Sequence, residues 1–219
     1  MPIPARTIVT NVLRILNDEA GVRYSATHAV NDLNKAQRDI QIARPDTTAT
    51  IAELELVDGY RQIMPVEAAL LIDIPSNASG LRNRITKVSK ELLDAVQPGW
   101  RALPAGSQIV HFMHDLRNPR MIEVYPPASA GMLIDIEYSA YPTDVPPPSG
   151  AGLVASTVNG NIGLHDQWAN ALEDMVLHYA YSTDLEGIGN LNLSTAYLQK
   201  VSQALGVQLQ SSATLAPTK

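Results

Sequence analysis

The spacing of apolar residues changes its period twice along this chain, and that double switch constrains the fold more than any single motif. Before Pro45 the period is helical. Ile8, Val9, Val12, Leu13 and Leu16 recur at helical spacing, and Gly21 supplies a stop. Ser25 is a good N-cap for a second helix, whose stripe runs through Ala26, Ala29, Val30, Leu33, Ala36, Ile40 and Ala43 until Pro45 ends it. Asn31, Asp32, Lys35, Gln37, Arg38 and Asp39 occupy the remaining positions, which predicts a helix packed by one side only.

From Thr48 the period becomes two. Ile51, Glu53 and Glu55 alternate with Ala52, Leu54 and Leu56, the pattern of a half-buried strand, and Asp58-Gly59 supplies a turn. Further strands are expected at 60–64, 69–74, 107–113, 120–125 and 132–138, with a hairpin turn at 115–119. Residues 85–96 suit a helix through Val88, Leu92 and Val96, and equally a strand feeding a short helix. Pro142 and the run Pro146-Pro147-Pro148 cannot lie in a central strand and mark the exit from the β region. The helical period then returns in Trp168, Leu172, Met175, Val176 and Tyr179, and again in Leu198, Val201 and Leu205.

A helical stripe must bury its apolar face, and the nearest partners for two amphipathic hairpins are each other. The expected fold is therefore α+β: N- and C-terminal helical hairpins forming a four-helix bundle with an inserted antiparallel β domain. The expected divisions are a helical half at 1–47, the β domain at 48–150, the second helical half at 151–207, and an extended tail at 208–219.

Composition excludes several function classes. With no cysteine among 219 residues, disulfides, thiolate zinc sites and cysteine nucleophiles are impossible. A net charge of −6 argues against gripping nucleic acid by neutralising phosphates, though a surface that DNA slides past remains compatible with it. The opening stretch MPIPARTIVTNVLRIL carries polar and charged residues throughout, so neither a secretory signal nor a membrane association is expected. Aromatic residues at 5% supply few stacking platforms.

Candidate chemistry is sparse. His111, His114 and Asp115 form an H-x-x-H-D string, but on a strand the two histidines point to opposite faces, so solvent-facing histidines are preferred to a metal site. Asp174 and His178 stand four residues apart on one helical face without the Glu-x-x-His spacing of di-iron bundles, which favours an ion pair or a polar contact between subunits. Glu53/Glu55 and Asp135/Glu137 are each two apart on a strand, and read as exposed acids rather than a glycosidase pair. No serine sits in a G-x-S-x-G elbow, and no glycine run makes a phosphate loop. No catalytic residue, cofactor or metal ligand is expected. Charge is segregated instead: Arg82, Arg84, Lys87, Lys90 and Arg101 cluster in the middle, while Asp166, Glu173, Asp174, Asp184 and Glu186 face only Lys200 near the end. Contact between identical subunits can use such segregation for orientation.

The strings NDLNKAQRDI (31–40), DGYRQIMP (58–65), LLDAVQPGW (92–100), IEVYPP (122–127), IEYSAYP (136–142) and HYAYSTD (178–184), in this order and spacing, resemble bacteriophage head-to-tail adaptor proteins of the short-tailed type, from about Thr7 to Gly206. The resemblance implies a non-enzymatic ring of about twelve copies beneath the portal protein, joining it to a tail nozzle or tail tube protein. Genomic DNA would pass through without specific binding. It implies a virion location after synthesis in the host cytoplasm, and a C-terminal segment that docks on the portal. The tail suits that role, since Leu209 and Leu215 are its large apolar residues and each can bury for about 1.5–3 kcal/mol. Leu209, Leu215 and Lys219 are the candidate docking residues. The alternative is a peripheral virion module that anchors a fibre or recognises a receptor.

Overall fold

The computed structural model describes residues 2–80, 82–148, 154–183, 188–207 and 209. They form two compact units: one built from residues 1–48 and 142–219, the other from residues 49–141.

The first unit is helical. Helix α1 (Ala5–Ile15) buries Ile8, Val9, Val12 and Leu13. Helix α2 (Ala26–Ala43) starts where Ser25 predicts, the serine hydroxyl accepting the His28 N–H at 3.3 Å. After the strands come α4 (Ala169–Thr183) and α5 (Ile188–Leu205). Helix α4 is the hub, packing on α1, α2 and α5. It can do so because Ala169, Ala171, Leu172, Met175, Val176, Leu177, His178, Tyr179 and Ala180 are all buried, so it is covered on more than one side.

Helix α2 is packed by one side, with His28, Asn31, Lys35, Arg38 and Ile42 exposed on the other, but the packed side is wider than the apolar stripe. Gln37, expected on its solvent face, is 0% exposed, and Asn34 is buried beside it. Asn34 reads the backbone of Val145 in both directions, its Nδ2 donating to the carbonyl at 2.9 Å and its Oδ1 accepting the N–H at 2.8 Å. Gln37 donates to Thr143 O at 3.4 Å and accepts from Gly163 N at 2.5 Å. The two amides hold the proline-rich exit segment, whose backbone has no strand to pair with. Gly163 is needed there, because a Cβ would lie 2.7 Å from Thr143 N.

The second unit has two sheets. The three-stranded sheet runs in the order β1 (Ala49–Glu55), β7 (Leu133–Ala140), β3 (Ala68–Asn77), and the four-stranded one β2 (Gly59–Ile63), β6 (Met121–Ala128), β5 (His111–His114), β4 (Thr86–Lys87). Their inner faces share one core, to which Ile74, Ile134, Ile136 and Tyr138 come from the first sheet and Phe112, Ile122 and Val124 from the second. On the far side of the four-stranded sheet, Trp100 and Leu93 pack with Met113, Tyr60 and Tyr125, so that Trp100 is fully buried between Tyr60 and Tyr125 in two edge-to-face contacts. Asn77 repeats the amide device of Asn34, exchanging two hydrogen bonds with the backbone of Ile109 at 2.8 and 2.9 Å.

The mixed α+β class holds, but the expected arrangement does not. The helices are not confined to terminal hairpins around an antiparallel β insert. A fifth helix, α3 (Lys90–Val96), stands between β4 and β5, capped by the Ser89 hydroxyl on the Leu92 N–H at 3.2 Å. The strands divide into two sheets, and β4 joins β5 in parallel. In the helical unit, α4 serves as a shared centre instead of one arm of a hairpin facing another. The reason is physical: Ser89 and Leu93 give residues 90–96 a cap and one buried anchor, enough for two turns laid on a sheet, while α4 is too apolar around its circumference to leave a face open.

Candidate interaction surfaces

Cross-strand register brings the two acidic pairs noted in the sequence onto one surface. In β1 and β7, Glu53 faces Asp135 and Ile51 faces Glu137. In β3, Asp73 faces Glu137 from the other side. Residues paired across strands share a face, so Ile51, Glu53, Glu55, Asp73, Asp135 and Glu137 lie together on the outer side of the three-stranded sheet. Arg82 lies 3.6 Å from Glu53 and 3.8 Å from Asp135, and the Ser76 hydroxyl donates to Asp135 at 2.6 Å. Glu55, Asp73 and Glu137 make no ion pair among the described residues, so the face is net acidic. Ile51 stands 67% exposed among these acids. Strand β1 is also an edge strand, paired with β7 alone.

The outer side of the four-stranded sheet has the opposite character. A cleft of about 890 Å³ opens beside α3, with Met113 and Met121 from the sheet in its lining and the bases Arg61, Lys87, Lys90 and Arg117 outnumbering the acids Glu91, Asp115 and Glu123. Lys90 is held by Glu123, Nζ to Oε1 at 2.8 Å, and Arg117 by Asp115 at 2.7 Å. That pairing keeps the exposed Asp115 carboxyl down at about 2. Arg61 and Lys87 have no ion pair among the described residues, and the Arg61 guanidinium rests 5.1 Å from the Tyr60 ring. Glu123 Oε2 is buried without a hydrogen-bond partner. Ile63, which faces Met121 across β2 and β6, stands 71% exposed on this side.

The sequence candidates are thereby dispersed. His111 Nδ1 lies 2.6 Å from Thr86 Oγ1 and its ring stacks on Tyr125, whereas His114 Nε2 lies 3.0 Å from Pro119 O. With Asp115 turned to Arg117, the H-x-x-H-D string converges on no common point. His178 meets Ser194 of α5, its Nδ1 2.8 Å from the hydroxyl and 3.0 Å from the carbonyl. Its polar contact is thus inside the chain, and burial pushes the imidazole below its ordinary pKa while pushing Asp174 above its own. The run of bases in the middle of the sequence is not one patch either: Arg82 serves the acidic face, Arg101 pairs with Asp94 at 2.7 Å, and Lys87 and Lys90 line the cleft. Near the end, Glu173 accepts from Asn11 at 3.0 Å and Asp166 from the Ile3 N–H at 3.1 Å, while Asp184 and Glu186 lie outside the described residues.

Arg61 and Arg117 were not singled out in the sequence, and only the cross-strand register and the hairpin turn bring them to the cleft. Of the tail candidates, Leu209 is half-buried against the helical core and its N–H donates to Ser202 Oγ at 3.3 Å. Leu215 and Lys219 lie outside the described residues. No described helix is long and apolar enough to cross a membrane. Comparison with known families matches residues 3–218 to the model of the SU10 adaptor protein. No curated protein matches the chain.

Proposed function

Because the chain belongs to the SU10 adaptor protein family, we propose that this phage adaptor, a structural component of the virion, acts at the head-to-tail interface. It assembles as a ring of about twelve copies beneath the portal, joins the portal to the tail nozzle or tail tube protein, and lines part of the channel through which the genome leaves. The near-complete family match carries the reading. Two surface features support it. The unit of residues 49–141 has chemically different outer faces, as a closed ring of identical subunits requires where unlike surfaces meet. The net charge of −6 suits a wall that DNA passes without sticking.

The C-terminal segment is the portal-docking element in this reading. Leu209 anchors its root on the helical core, and Leu215 and Lys219 supply the apolar and cationic contacts beyond it. Ordering such a segment on a partner costs conformational entropy that the burial of Leu215 offsets.

Native mass spectrometry of the chain, alone and mixed with the portal ring encoded in the same genome, tests the proposal. One adaptor per portal subunit is the expected result. A chain that ignores the portal and keeps a small oligomer in both samples overturns it in favour of a peripheral virion module. A chain truncated after Leu209 should lose portal binding, and undiminished binding would remove the tail from the docking role.

A further inference from the structure

The two outer faces of the unit formed by residues 49–141 point away from each other, because the sheets share one core through their inner faces. One face is acidic with an exposed isoleucine, and the other is a basic-rimmed cleft with an exposed isoleucine beside it. We infer that these faces are the two halves of one self-association contact: the strand face Ile51, Glu53, Glu55 of one copy seats in the Arg61, Lys87 cleft of the next.

Four observations favour a second copy as the occupant. The groups left without ion pairs are opposite in balance, with the acids Glu55, Asp73 and Glu137 on one side and the bases Arg61 and Lys87 against the single acid Glu91 on the other. Each half carries large apolar side chains that its own chain leaves in water, Ile51 in one and Ile63 and Leu116 in the other, so docking removes them from solvent. The acidic stripe lies on an edge strand, which projects at the margin of its sheet and can enter a cleft that a central strand cannot reach. The halves are also different surfaces on opposite sides of the same unit, so the contact is head to tail. It propagates to a ring when the rotation closes, and it cannot form an isologous dimer. Opposed charge at such a contact fixes orientation and speeds encounter more than it adds affinity.

This inference rests on the ring reading above, and the test separates the two. One variant carries E53K and E55K, a second carries R61E and K87E, and native mass spectrometry follows assembly on the portal ring, with thermal melting to establish that each is folded. Each variant alone should lose ring assembly by at least tenfold in concentration dependence, since like charges then meet. An equimolar mixture should restore rings in which the two variants alternate, because each reversed face meets a reversed partner. A wild-type ring with variants that assemble equally well overturns the pairing and leaves the adaptor role standing, as does a mixture that fails to rescue. A wild-type chain that never assembles on the portal overturns both. If either variant is unfolded, cross-linking decides instead: the chain has no cysteine, so Glu55→Cys and Lys87→Cys in one chain should give a ladder with a bismaleimide while each single variant gives none. Cross-linking of a single variant, or no ladder from a wild-type-like ring, overturns the head-to-tail pairing.

Discussion

Glu53 and Asp135 face each other directly across β1 and β7, two carboxylates at a position where like charges destabilise a sheet. Arg82 resolves the conflict by lying within 4 Å of both. Its guanidinium is well exposed, so solvent and salt screen the gain. R82A should therefore lower stability by under about 1 kcal/mol in dilute buffer. The loss should vanish at high salt, and a D135N background, which leaves only the Glu53 pair, should reduce it. Urea titrations at two ionic strengths check both; a loss that persists in salt would mean that Arg82 acts through packing.

The amide of Asn34 does for the exit segment what a neighbouring strand does elsewhere. N34A removes a donor and an acceptor at once, and strands the buried N–H and C=O of Val145 without partners. Leaving buried polar groups unpaired costs about 1–3 kcal/mol each, so N34A should destabilise the protein by at least 2 kcal/mol in chemical denaturation. N34D keeps the acceptor and loses the donor, and it should be no better than alanine because it also buries charge.

Gly163 and Gly160 offer a contrast in the same segment. A Cβ at Gly163 meets backbone, 2.7 Å from Thr143 N and 3.0 Å from Thr143 O, which neither side can relieve without pulling Gln37 out of register. At Gly160 the nearest neighbour is Pro146 Cδ at 3.5 Å, and the penalty is the positive φ of 94°. G163A should cost about 1–3 kcal/mol through overpacking, whereas G160A should cost about 1 kcal/mol from the strained backbone. Thermal melts of the two variants rank them.

What was legible in the sequence was period and capping. The Ser25 cap and the β1 alternation follow from one residue and its near neighbours, and the structure has both. Asn34 and Gln37 were not legible, because an amide that clamps a distant backbone looks the same in a helical pattern as one that faces water. The union of Glu53/Glu55 with Asp135/Glu137 on one face, and of Arg61 with Lys87 in one cleft, depends on pairings between strands far apart in sequence, which no local spacing encodes. The hub role of α4 escaped for a related reason. Its stripe of Trp168, Leu172, Met175, Val176 and Tyr179 was visible, but Ala171, Leu177 and Ala180 on its other sides gave no sign of which helices they would meet.

His178 supplies a stability switch with a definite sign. Burial between α4 and α5, with Lys35 adding repulsion, holds its folded pKa below the ordinary 6.5, so the unfolded chain binds the proton more readily. Its contribution is fully present above pH 6.5 and is lost as pH falls through that value toward the folded pKa. Asp174, the shifted carboxyl of this helix, works with the opposite sign: its raised pKa favours the folded state in acid, and that contribution fades as pH rises through the folded value. Near neutrality the histidine dominates, because Asp174 starts from 3.8. The melting temperature should fall between pH 7.5 and 5.5, and H178N should flatten that dependence while losing some stability at pH 7.5 through its contacts with Ser194. Melting curves across this range measure both effects, and an equal pH slope in wild type and H178N would assign the switch to another group.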